Sequence, residues 1–276
     1  MRKGVLVFLA VVGLGVGTSL LAQFTAEELA GFDKWEDFLK TAKVVAQEQL
    51  TGALAVTSPW ELTLEKDGVQ HKALWKNVFG ERVRGFKETW KGEVAAYRLS
   101  RLLGLNMVPP TVEREFRGDR GSCQLFADYW VTMEEVRGKK LNPPGIKMNG
   151  FFRCLFLQRA FDNLIYNVDR HLRNYLIMQD WRMILIDHSR TFGTGKKASA
   201  DLIYDEKYKE GPNFIMAELP RTFYDGLKAL TAESIRTAVG EYLTDEEIAA
   251  TLARRDLIIA WLDKRIKEQG EMKVLY

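Results

Sequence analysis

A run of three large aliphatic residues, Ile184-Leu185-Ile186, ends on a carboxylate, Asp187, which a histidine, His188, follows. The apolar run reads as a short buried strand. An Asp at the end of such a strand lies at the edge of a core, where its charge is costly unless a cation or hydrogen-bond donors meet it. Upstream lies a second polar segment, Asn167-Val168-Asp169-Arg170-His171-Leu172-Arg173-Asn174, which follows a strongly apolar helix predicted over 151–166. Short strands predicted over 175–178 and 183–186 connect the two. The chain therefore needs a fold that gathers two acids and an amide at one core edge and brings a cation to them from elsewhere.

The chain has room for such a fold. It has 276 residues, of which 46% are hydrophobic and 28% charged, the balance of an ordinary globular protein. That excludes a disordered tail, a collagen and a disulfide miniprotein. No repeat of solenoid or propeller period runs along it. Arg2 and Lys3 supply two of the three net positive charges, and elsewhere basic and acidic residues interleave. The charge therefore argues against nucleic acid as a partner.

Residues 1–22 read as an export segment. Arg2-Lys3 precede a charge-free stretch from Gly4 to Ala22, which suits either a cleaved signal peptide or an uncleaved membrane anchor. Either way the folded part is exported, periplasmic or extracellular, and any membrane attachment runs through this segment alone. The two cysteines, Cys123 and Cys154, fit no metal spacing and are expected to be small buried hydrophobes in different parts of the fold.

Four parts follow. Residues 23–42 form a helical segment opened by the capping box Thr25-Ala26-Glu27-Glu28 and running toward Leu39. Residues 43–140 read as strands over 43–49, 60–66 and 69–76, a helix over 88–103, and strands over 111–116 and 122–130. The pair Asp67-Gly68 is a strong hairpin signal. Pro143-Pro144 marks a boundary, after which residues 141–276 are mainly helical, with one hairpin and helices around 217–230 and 245–269.

Oxygen donors from Asn174 and Asp187 suit magnesium or manganese. Asp169 is then free to orient or deprotonate an incoming hydroxyl. An Asp, an Asn five residues on and a strand-end Asp make the layout of phosphoryl-transfer loops. Each also has an ordinary structural reading: Asp169 as a turn cap, Asn174 as a turn residue, Asp187 paired with Arg190, and His171 and His188 as packed histidines. The first half offers Lys76 at a strand end and Glu93 on the next helix, a cation and a carboxylate able to pair. The loop 51–59, with Gly52, Thr57 and Ser58, is placed to cover phosphates.

The run Asn167-Val168-Asp169-Arg170-His171, with Asn174 and Ile186-Asp187, resembles the catalytic loop and metal-binding Asp of atypical kinases: the phosphatidylinositol 3-/4-kinase, HipA and secretory-pathway (Golgi casein kinase) types. The stretch from Glu93 to Pro110 is similar to the small-lobe helix and following strand of bacterial relatives of the secretory kinases, and Arg254-Arg255-Asp256 also resembles them. The resemblance spans residues 38–267. It implies an α+β, two-lobed protein-kinase-like fold, with a small antiparallel-sheet N-lobe carrying one helix and a mainly helical C-lobe. It further implies ATP and Mg2+ or Mn2+, with Lys76 on the phosphates, Glu93 positioning it, Asp169 catalytic with His171 beside it, and Asn174 and Asp187 on the metal. A hinge at Met133, Glu134, Glu135 and Val136 would face adenine. The acceptor is an unidentified hydroxyl on a protein, sugar or lipid, and the segment 188–214 with Lys196 and Lys197 is the expected place for it. A non-catalytic, kinase-shaped scaffold is the alternative, because ATP is scarce outside the cytoplasm. A nuclease or phosphatase would leave Lys76 and Glu93 without a role.

Overall fold

The computed structural model describes residues 24–52, 57–83, 86–204 and 216–276. The expected export segment 1–22 lies outside them, as does much of the segment 188–214 beyond residue 204. No helix among the described residues is long and apolar enough to cross a membrane.

Two helices come first, α1 (Ala26–Ala30) and α2 (Phe32–Thr41). The Thr25/Glu28 capping box forms as expected, but the helical run breaks at Gly31. Its N–H closes a tight turn onto the Glu28 carbonyl at 3.1 Å. Glycine is a poor residue with which to continue a helix, so two helices stand where one was expected.

Five strands build the main sheet: β1 (Lys43–Gln49), β2 (Trp60–Lys66), β3 (Val69–Lys76), β6 (Thr111–Phe116) and β7 (Asp119–Leu125). All neighbours are antiparallel, in the order β1-β2-β3-β7-β6. The β2–β3 turn is the expected Asp67-Gly68, with both residues at positive φ (51° and 78°), the mirror-image turn that matches strand twist. A second such turn at Arg117 and Gly118 pairs Phe116 with Asp119. The strand after it therefore starts at Asp119 rather than Ser122, and it ends at Leu125 rather than Trp130. Beyond Leu125 one last bond, from the Phe126 N–H to the Lys72 carbonyl, keeps the β3–β7 register, and by Trp130 the backbone N–H reaches the Ile177 carbonyl in another sheet.

Between β3 and the helix α3 (Trp90–Leu102) the chain inserts a hairpin, β4 (Phe79–Val83) and β5 (Phe86–Thr89), which the sequence had not suggested. After residue 130 come β8 (Val131–Thr132), α4 (Met133–Gly138) and the long α5 (Gly145–Ile165), then β9 (Tyr175–Ile177) and β10 (Met183–Leu185). Strands β10, β9 and β8 form a second antiparallel sheet. The remainder is helical: α6 (Lys196–Ala200), α7 (Arg221–Ala229), α8 (Ala232–Val239), α9 (Asp245–Gln269) and α10 (Glu271–Val274).

Two cores hold these elements. The smaller lies between the five-stranded sheet and α2, with Leu62, Leu64, Ala73, Trp75, Val112 and Cys123 against Phe38 and Leu39. The larger runs through the helical half and takes in Ala95, Ala96, Tyr97 and Leu99 of α3. Fully burying one such aliphatic or aromatic side chain is worth roughly 1.5–3 kcal/mol. Because α3 packs into the larger core while β3 belongs to the smaller, their facing residues meet at the junction between cores. Arg254, fully buried on α9, ties the helical half together. It donates to the carbonyls of Leu164, Gly193 and Ala198 at 2.8, 3.0 and 3.1 Å.

Neither cysteine is in a disulfide; Cys123 is buried as expected, and Cys154 is only partly buried. Burial pushes the Cys123 thiol up to about 12, and only the thiolate reacts with alkylating agents. Cys123 in the folded protein should therefore resist maleimide at pH 8 and label fully in denaturant, as read by peptide mass spectrometry. Labelling of Cys123 in the native state at a free-thiol rate would contradict this core.

Candidate active site

The hairpin of β9 and β10 explains why the two polar segments meet. The Ile186 N–H donates to the Asn174 carbonyl at 3.1 Å, one step past the strand ladder. Asn174 and Asp187 thus leave the same end of the hairpin, and the Asn174 Nδ2 lies 3.4 Å from Asp187 Oδ2. Asp187 takes a left-handed backbone conformation, φ 62°, which costs a non-glycine residue about 1–2 kcal/mol. Strain of this kind gathers at functional sites.

The cation comes from β3. Lys76 Nζ donates to Glu93 Oε1 and to Asp187 Oδ1, each at 2.7 Å. Lys76 and Glu93 are almost wholly buried, while the Asp187 side chain is 38% exposed and opens the cluster to solvent. Burial opposes the charge on Lys76, but the Asp187 and Glu93 charges outweigh it and hold the ammonium above its ordinary range. Burial likewise opposes the Glu93 carboxylate. The Lys76 charge and the hydrogen bond from His188 overcome it and keep Glu93 ionised well below the usual range.

Glu93 is placed from two sides. Its Oε2 accepts the His188 N–H at 2.8 Å. Its neighbour Gly92 lies so close to the segment after Asp187 that a Cβ there would sit 2.6 Å from the His188 carbonyl oxygen. Only glycine permits this approach of α3. His188 is fully buried, and burial pushes its imidazole below the ordinary value. Its Nε2 faces the Arg170 guanidinium at 3.0 Å. Arginine cannot accept a hydrogen bond, so Nε2 accepts and the ring proton sits on Nδ1, 3.7 Å from Glu93 Oε2.

Beneath the loop, Arg170 pairs with Asp162 of α5 through two 2.9 Å bonds, both side chains being fully buried. It also donates to the Ile186 carbonyl at 2.6 Å. This fork fixes the loop's height against β10. Asp169 points the other way. Its Oδ2 accepts from Arg190 Nη1 and its Oδ1 faces His171 Nε2, each at 2.9 Å. Arg190 is thus paired with Asp169, not with Asp187. Ser189 Oγ stands 3.4 Å from Asp187 Oδ1 and 3.4 Å from Glu88 Oε1.

Lys76, Glu93, Asn174 and Asp187 are therefore brought together, with Asp169 and His171 reached through Ser189 and Arg190. The expected hinge residues lie at the start of a helix: Thr132 and Glu135 form a capping box that starts α4 at Met133, so Met133 is buried in the larger core and Glu135 is occupied at the cap. Residues 126–130 connect β7 to β8. Gly52 and Ser58 are exposed at the β1–β2 connection, with residues 53–56 outside the described set, and no described bond ties Gly52, Thr57 or Ser58 to the cluster. Lys196 and Lys197 open α6 and are exposed. Sequence reasoning missed Glu88, Asp162 and the role of Arg170. Of these, only Arg170 carried a signal, as a cation inside the loop.

No family model matches the chain, and no curated protein matches it. Among solved structures, a hydra Fam20 determined with sugar superposes with a TM-score of 0.63 at 15% identity, over 94% of this chain and 95% of that one. A Golgi casein kinase with Mn and ADP bound superposes with a TM-score of 0.62 at 15% identity, over 92% and 80%. At this identity the likeness is one of fold: the chain folds as these Fam20 and Golgi casein kinase structures do.

Removing the cation should expose how much the cluster depends on it. Breaking a buried pair by deleting one partner costs roughly 3–5 kcal/mol. Lys76→Met should lose stability on that scale in urea denaturation, and Lys76→Met/Glu93→Gln should lose less than Lys76→Met alone. A loss below about 1 kcal/mol would mean that the pair is solvated.

Proposed function

We propose that the chain is an exported ATP-dependent kinase that transfers the γ-phosphoryl group to a hydroxyl acceptor. One observation carries the reading: a single buried ammonium, Lys76 Nζ, touches both Glu93 and Asp187 at 2.7 Å. A cation locked to α3 on one side and to the end of β10 on the other is placed to neutralise phosphates at the opening where Asp187 is exposed.

The donor set fits a hard divalent cation. Asp187 and Asn174 lie side by side, and among the described residues no cluster of three His, Cys, Asp or Glu side chains makes a metal site alone. Two protein oxygens, completed by phosphate oxygens and water, is the way magnesium and manganese bind with nucleotides. When bound, the cation neutralises charge on the β- and γ-phosphates. The chain's own groups do the rest. Lys76 binds phosphate, Glu93 keeps Lys76 aimed, and the Asp169 carboxylate orients the acceptor hydroxyl and takes its proton. His171, exposed beside Asp169 Oδ1, lies on the side from which the acceptor comes. Phosphoryl transfer of this kind is mainly positioning and charge neutralisation. Export rests on the basic and apolar sequence of residues 1–22, and an acceptor site on Lys196 and Lys197 rests on their exposure and charge.

A second reading, a kinase-shaped scaffold that binds nucleotide without turnover, draws on the engagement of both Asp169 oxygens by Arg190 and His171. The test is labelled ATP with Mn2+ and the purified full chain. Label is followed onto water, onto the chain itself and onto protein, sugar and lipid hydroxyls. Transfer that Asp187→Ala reduces by about 100-fold or more supports the kinase. Saturable ADP binding with no transfer to any acceptor would establish the scaffold instead.

A further inference from the structure

Asp169 is gripped unequally on its two oxygens. The partner of Oδ1, His171, is 62% exposed at its side chain. The partner of Oδ2, Arg190, is anchored from behind. Its Nε donates at 3.2 Å to Glu88 Oε1, and the Glu88 side chain is only 3% exposed. Glu88 belongs to β5, in the hairpin inserted between β3 and α3. Its second oxygen is buried and meets no donor among the described residues. A carboxylate in that position is costly without a cation, and Arg190 is the guanidinium that neutralises it. The backbone reinforces the contact, because the Thr89 N–H donates to the Ser189 carbonyl at 2.9 Å. On the other side of the hairpin, Lys87 reaches Glu247 of α9 at 3.1 Å.

The guanidinium therefore spends different nitrogens on different carboxylates, Nε on Glu88 and Nη1 on Asp169. Its planar fork fixes the angle between them, which no ammonium can do. We propose that Arg190 is a positioning residue: held by the buried Glu88, it pins Asp169 Oδ2 so that Oδ1 is the oxygen that receives the acceptor hydroxyl. The inference rests on the kinase reading above and adds the inserted hairpin to it as the support of the acceptor-orienting carboxylate.

The test uses the full chain, with ADP formation from manganese-ATP and water as the acceptor. Arg190→Met should lower kcat about tenfold or more while the KM for ATP stays within about twofold, because positioning acts on the acceptor and not on nucleotide binding. Arg190→Lys should recover only part of the loss. Glu88→Gln should lower kcat by a smaller factor, and its addition to Arg190→Met should change nothing further, the signature of two residues acting as one unit. Should Arg190→Met fold poorly, Arg190→Lys and Glu88→Gln carry the test. A kcat within about twofold of wild type in Arg190→Met, or a rise in the KM for ATP as large as the fall in kcat, overturns this role. A wild-type chain that binds ADP but forms none from ATP and labels no acceptor overturns the kinase reading itself, and this inference with it.

Discussion

The structure turns on one buried ammonium. Lys76 sits at the end of β3 with two carboxylates at 2.7 Å, one from α3 and one from the turn after β10. A lone ammonium at that depth would be prohibitive, and the buried Glu93 carboxylate alone would be nearly so. The three stabilise one another only if sheet, helix and hairpin stand at fixed separations. This requirement makes sense of several local oddities at once. Gly92 lets α3 approach the segment after Asp187, the His188 N–H holds the far oxygen of Glu93, and Asp187 accepts a left-handed backbone to turn its carboxylate back toward the lysine.

Around that triad the charges form layers with different duties. The deepest, Asp162 with Arg170, is fully buried and carries the loop. Lys76 and Glu93 come next and set the cation. Asp187 and Asp169 are the most open, at 38% and 27% exposure, and under the proposed reading they meet the triphosphate and the acceptor. The Asp169 carboxylate reaches the rest of the molecule through Arg190 and Glu88, which ties the inserted β4–β5 hairpin to the chemistry.

Much of this was legible in the amino-acid order, for identifiable reasons. Strands β2 and β3 alternate and are joined by Asp67-Gly68, so their limits coincide with expectation, as do those of β1. Asp169, Asn174 and Asp187 fall within nineteen residues of sequence around one hairpin, so their convergence followed from local geometry. Lys76 and Glu93 were readable as a pair because a strand end and the next helix are commonly adjacent. The helix α4 at the expected hinge was not foreseen, although Thr132 and Glu135 carry its capping box. Glu88 was invisible: Lys87 and Glu88 stand side by side in Phe86-Lys87-Glu88-Thr89, and nothing in that pattern says which charge is buried. The partner of Arg190 was equally hidden, because Asp169 and Asp187 are both within its reach and only the turn at Asp187 decides between them.

The most direct measurement is a structure of the full chain determined with ADP and Mn2+. The account predicts Lys76 Nζ within hydrogen-bonding distance of a phosphate oxygen and Asp187 in the manganese coordination shell, with Glu93 still holding Lys76. A nucleotide seated away from Lys76, or a manganese ion whose shell omits Asp187, would contradict it.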